Sequence, residues 1–199
     1  VNNNAEIIGI VAGIIAFLNV VPYVISIFQK KTKPSRSAYA IWLVIDTVTV
    51  ASYIASGATD TIWTFLGFGL TTFIIFGLSL KYGMGGFNKL DIICMVIALF
   101  AIIIWLTTKD ASLALYASLS AKLIGYIPIV KKSYLYPCTE NNLAWNMAAF
   151  ASLLNIVAIT SSRPEILIAP VSLAIVDLLI IILLNFPKLR LKTYTPVKL

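Results

Sequence analysis

Apolar residues run along the chain in blocks of about 20, each closed by a short polar break. A helix needs ~20 apolar residues to cross a hydrocarbon core ~30 Å thick, where only internal hydrogen bonds satisfy the backbone. Seven blocks meet that need, over residues 6–28, 38–56, 62–81, 90–107, 111–130, 142–160 and 165–186. The breaks between them read QKKTKPSRS, SGATD, YGMGGFNK, TKD, KKSYLYPCTENN and SSRPE. The pattern predicts an all-α integral membrane protein with seven transmembrane helices.

Composition and charge add an orientation. Of 199 residues, 60% are hydrophobic and 12% charged, about half the charged share of an ordinary soluble domain. A net charge of +7 would suit nucleic acid. The basic residues gather at helix ends, however, and form no aromatic-interleaved surface, so no nucleic acid partner is expected. They also divide by side. The breaks after the first, third and fifth spans, with Lys81 at the end of the third span and the tail over 187–199, hold 12 Lys and Arg; the other breaks hold only Lys109 and Arg163, and Lys122 lies inside a span. The positive-inside rule then places the N-terminus outside and the C-terminus in the cytosol, across a plasma, inner or organelle membrane. The first block lacks a basic leader and a small-residue cleavage site, so it is expected to be a mature helix.

Two stretches echo each other. PYVISIFQKKTKPSRSAYAIW leaves the first span and enters the second, and PIVKKSYLYPCTENNLAW does the same for the fifth and sixth. Each has a Pro late in a helix (Pro22, Pro128), a basic pair at the exit, and a loop Pro eight residues before a Trp. Pro34 and Pro137 stand 103 residues apart, as do Trp42 and Trp145. The chain thus divides into a first three-helix repeat over 6–81, a linker helix over 90–107 and a second repeat over 111–186. Both repeats start on the same side, so they are parallel, related by an axis along the membrane normal.

This layout resembles the PQ-loop and SWEET superfamily, whose relatives include sugar transporters, lysosomal amino acid exporters and the KDEL receptor. Pro22 and Pro128 with their basic exits carry the resemblance, together with the Trp-bearing helices that follow. The chain departs from the pattern in having Tyr23 and Ile129 after the two prolines, where the family name has Gln. Sugar-transporting members resemble one another in a pocket Trp and an Asn. Near those positions stand Tyr53, then Gly67 or Phe68, and in the second repeat Ala158. The resemblance implies a SWEET-like fold of two parallel three-helix bundles joined by a linker helix. It also implies a cavity among the first, second, fifth and sixth helices.

Three ionisable residues lie deep within the spans: Asp46, Lys122 and Asp177. Each costs ~2.5–3.5 kcal/mol at a helix centre, so each calls for a pair, water or a pocket. Trp42, Asp46, Thr49, Tyr53 and Ser56 follow one another at spacings of four, three, four and three, which puts them on one helix face. The sixth span answers with Trp145, Ala149 and Ser152, and with Asn155 nearby, either as a second wall or as small-residue packing. Ser118, Lys122 and Tyr126 recur every four residues in the fifth. Lys122 is expected to pair with Asp46 or to hold a solute carboxylate. Asn19, Asn146 and Asn155 add neutral hydrogen bonds, and Asp46 and Asp177 are the proton-coupling candidates. Pro22 and Pro128 are hinges or static kinks, and Gly9 and Gly13 form a small-residue contact face.

The expected function is membrane transport, facilitated or proton-coupled, of a small polar solute by alternating access of the two repeats. Charged pocket residues favour an amino-acid-like solute over a sugar. The alternative is a sorting receptor, like the KDEL receptor, that binds a peptide. No enzymatic activity is expected, because the chain has no His, one Cys in the membrane and no paired-Asp motif. No metal or cofactor is expected either. Microbial retinal proteins carry their Schiff-base Lys in the seventh helix, where this chain has Asp177. Cys94 lies mid-helix and Cys138 in a loop, which disfavours a disulfide. The remaining expected partners are the bilayer, the solute, protons if transport is coupled, and further copies of the chain if it assembles.

Overall fold

Pro22 decides the shape of the first element. It has no N–H to offer the Leu18 carbonyl, and its ring crowds that carbonyl. Helix α1 (Asn3–Leu18) ends there and α2 (Val20–Phe28) begins one residue later. Asn19 keeps right-handed helical dihedrals (φ −60°, ψ −20°), so α1 and α2 are one bent helix. Side chains take up the last-turn carbonyls of α1. Asn19 Nδ2 donates to Ala16 O at 2.6 Å, and Thr71 Oγ1 donates to the same oxygen at 3.0 Å.

The other elements follow as α3 (Arg36–Ser56), α4 (Ile62–Tyr82), α5 (Lys89–Thr108), α6 (Ala111–Leu135), α7 (Asn142–Val157) and α8 (Pro164–Asn185). A short 3₁₀ turn, Pro137–Thr139, precedes α7. This computed structural model describes residues 3–57, 61–86, 89–108, 110–160 and 164–185. The basic tail, Lys109 and Arg163 lie outside the described residues, as do the side chains of Ser56, Cys94 and Ser118. No strand occurs among the described residues, and Ser35 and Met84 make one isolated bridge.

The loop prolines are followed by helix caps. Ser35 accepts from Ala38 N to start α3, and Asn141 accepts from Ala144 N at 2.8 Å to start α7. Gly57, in the left-handed region at φ 71°, closes α3. Pro128 behaves unlike Pro22: α6 runs through it without a break to Leu135, five residues past the expected end. Lys131 and Lys132 therefore belong to a helix. Pro170, inside α8, frees the Ile166 carbonyl, and Tyr53 on α3 donates its hydroxyl to that oxygen at 3.3 Å.

Helix α4 packs between α1 and α3, and α8 packs between α6 and α7. Across the middle, α3 meets α6 and α1 meets α7, while α5 lies against α6 and α3. A Cβ on Gly67 would stand 2.3 Å from Gly13 O, so only glycines let α1 and α4 approach this closely. Gly13 thus serves the contact face expected of it.

Among the described residues, four helical stretches are long and apolar enough to cross a membrane: Asn4–Phe28, Arg36–Ala55, Ile62–Tyr82 and Ile166–Asn185. Their outward faces are apolar, with Ile54, Phe73, Leu80 and Ile175 exposed, while Asp46, Lys122 and Asp177 are buried. That inversion of a water-soluble surface marks a membrane-embedded chain. Helix α3 is the most interior, with 61% of its span buried against 39% for the other three.

Candidate functional site

The polar stripe on α3 turns inward. Tyr39, Trp42, Asp46, Thr49 and Tyr53 are all buried, on the face that meets α6. Asp46 forms a buried ion pair with Lys122 of α6 and accepts a second bond from Thr72 Oγ1 of α4 at 2.8 Å. The Lys122 ammonium also stands 5.9 Å from the centre of the Phe68 ring. Taking both charges out of water is costly, and their attraction offsets that cost only with well-placed hydrogen bonds such as the one from Thr72.

Asp177 approaches from α8. Its carboxylate accepts from Ser152 Oγ of α7 at 2.9 Å and from Tyr126 OH of α6 at 3.3 Å. Among the described residues two hydroxyls hold it, and it forms no ion pair. Asp46, Lys122, Asp177, Tyr126 and Asn19 all line one cavity of about 50 Å³, enough for about four waters at ~10–15 Å³ each. Every helix except α5 contributes to its wall or to the residue at the α1–α2 bend.

Tyr39 and Trp42 precede Asp46 on α3 and so lie towards the end of the bundle that carries Lys30, Lys31, Lys131 and Lys132, here called the basic end. The Trp42 ring is 4.6 Å from Tyr126, 5.3 Å from Tyr39 and 6.4 Å from Trp145, and Tyr39 is 6.0 Å from Tyr23. The two tryptophans that stand 103 residues apart therefore meet edge to face beside the cavity. Gly125 makes room for this: a Cβ there would lie 3.0 Å from the Trp42 ring. Towards the opposite end, Tyr53 stacks on Phe65 at 4.4 Å. A separate space of about 10 Å³, bounded by Thr49, Tyr53 and Lys122 among others, remains there. It holds about one water.

No protein-family model, curated protein or solved structure matches the chain. The site's own chemistry therefore carries the functional argument.

Several expectations need correcting. Asn146 is exposed and donates back to Asn142 O at 2.8 Å, because it lies one residue, about 100° of helix, past the inward-facing Trp145. Asn155 is buried but does not line the cavity, and its Oδ1 has no partner among the described residues. Thr49 and Tyr53 border the small outer space instead of the main cavity. Gly67 serves the contact between α1 and α4, and its neighbour Phe68 reaches the cavity. Asp177, which the implied four-helix cavity leaves out, lines this one.

Sequence reasoning also missed a group at the basic end. Glu140 and Lys132 form a second buried ion pair, and Tyr23 and Trp145 both bond to the same carboxylate. One signal was readable: Glu140 is the sole acid in the basic breaks. Thr72, one of three threonines in an apolar helix, carried no such mark.

Proposed function

We propose that the chain is a membrane transporter that moves a small amino-acid-like solute by alternating access. The observation that carries this reading is the mid-helix cavity with one Lys, two Asp and walls drawn from both halves of the chain. A charge buried without a partner is expensive, so a ligand in this space must match its charges. Lys122 suits a carboxylate. Asp177, held only by hydroxyls, suits an ammonium group, and the faces of Trp42 and Tyr126 add attraction for a cation. A neutral sugar would satisfy neither charge.

The cavity has room for only about four waters, so admitting a larger solute requires the two halves to part. The packing supports a division suited to that. Exchanging α1, α3 and α4 for α6, α7 and α8 turns the main packings, α1 on α4, α3 on α4 and α3 on α6, into α6 on α8, α7 on α8 and α7 on α1, which also occur. This favours two parallel three-helix units with α5 as linker, seven spans in all, rocking about a central site. The bend at Pro22 is the natural flexing point of the first unit. The basic end faces the cytosol by the charge rule. Should transport be proton-coupled, Asp177 is the better carrier, since Asp46 already has Lys122.

Uptake into proteoliposomes, screened with amino acids, amines, sugars and nucleosides, tests the proposal. Saturable uptake within the amino acid class is expected. Measurable peptide binding with no uptake of any solute would overturn it.

A further inference from the structure

Glu140 has three side-chain partners at the basic end. Its side chain is 0% exposed although it sits in a loop. One carboxylate oxygen pairs with Lys132; the other accepts from Tyr23 OH at 3.1 Å and from Trp145 Nε1 at 2.9 Å. Lys132 spends its remaining donors on Lys33 O and on Thr139 O, which uses all three that an ammonium has. The loops themselves are bonded as well. Lys33 N donates to Thr139 O at 3.1 Å, and Asn141 Nδ2 donates to Pro22 O at 3.1 Å.

These bonds tie the α2–α3 loop and α2 to the α6–α7 loop, α6 and α7, which means one half of the chain to the other. Tyr23 and Trp145 also line the central cavity. The same two side chains therefore face the solute space on one side and hold Glu140 on the other.

We infer that Glu140 is the latch of the gate at the basic end, and that the cavity opens there only when this carboxylate gives up Tyr23 and Trp145. The inference rests on the transport reading above for its purpose, but not for its test. A solute that draws Tyr23 or Trp145 towards itself weakens the latch, which couples occupancy to opening. Removing one charge alone would strand the other in the interior, so the informative variant removes both: Glu140→Gln with Lys132→Met. Tyr23→Phe takes away one donor and leaves both charges in place.

The measurement is labelling of a cysteine placed at Ala148, a small residue on the cavity wall, in full-length chain with Cys94→Ala and Cys138→Ser. An impermeant maleimide is applied to inside-out and to right-side-out vesicles. The double variant is expected to raise labelling from the basic side about tenfold or more, as a closed state loses its hold on the equilibrium. Tyr23→Phe is expected to raise it about threefold. Neither changes labelling from the opposite side. Unchanged labelling, or an equal rise from both sides, overturns the latch. If labelling rises as expected while no vesicle takes up any solute, the latch stands and the transport reading falls.

Discussion

Two buried lysine–carboxylate pairs lie about 15 Å apart along α6, ten residues at ~1.5 Å each, and they are built for different ends. The Lys132–Glu140 pair is saturated. Every lysine donor is used, and the carboxylate has three partners. The Lys122–Asp46 pair borders open space and a second carboxylate, Asp177, that forms no ion pair among the described residues. Two acids against one base leave Asp177 either protonated or in need of a cation, and the cavity gives a ligand room to supply one. A saturated pair at the basic end, bonded also to Tyr23 and Lys33, links the two halves; an unsaturated one within the helices is, on the proposed reading, where a ligand is received. Burial alone does not separate the two, and completeness of the partner set does.

The sharpest way to break that contrast is to remove Lys122. Lys122→Met leaves Asp46 and Asp177 facing each other without a cation. It should destabilise the protein by about 3–5 kcal/mol and abolish uptake, as read by thermal unfolding in detergent and by flux in proteoliposomes. Asp177→Asn should split those readouts. Asp177 has no ion pair to lose, so stability should change by about 1 kcal/mol or less. Uptake of the same solute should fall at least about tenfold. Loss of stability as large as for Lys122→Met would mean that Asp177 is structural and the contrast is misplaced.

Smaller effects concern the scaffold. Gly67→Ala forces a Cβ against Gly13 O, 2.3 Å away, and should cost about 1–3 kcal/mol, measured as a lower Tm with uptake per folded molecule retained. Tyr53→Phe removes the bond to the carbonyl freed by Pro170 and should cost about 1 kcal/mol. Asn146→Ala, on the exposed face of α7, should stay within about 0.5 kcal/mol and leave uptake unchanged. A marked transport defect there would restore Asn146 to the site.

Much of this was legible along the chain. The apolar blocks predicted the helices within a few residues, because a bilayer imposes one length on every spanning helix. Spacings of three and four brought Trp42 and Asp46 to one face, and the expense of intramembrane charge singled out Lys122 and Asp177. What a linear reading lacked was register between helices. Asn146 and Trp145 are adjacent in sequence, and only packing says which faces inward. The two prolines looked equivalent, yet α6 absorbs Pro128 while the first helix breaks before Pro22. Glu140 was hidden for a related reason: an acid in a polar loop reads as solvated until a second loop closes over it.

The central claim is that Lys122 and Asp177 together receive the two ends of one zwitterion. Competition against uptake of the preferred amino acid, using its N-acetyl and its carboxamide derivatives, tests this most directly. The account predicts that each derivative competes at least about tenfold more weakly than the parent, since each removes one charge match. It further predicts that Asp177→Asn erases the discrimination against the N-acetyl form alone. Equal competition by the parent and both derivatives, or by a neutral sugar, would contradict it.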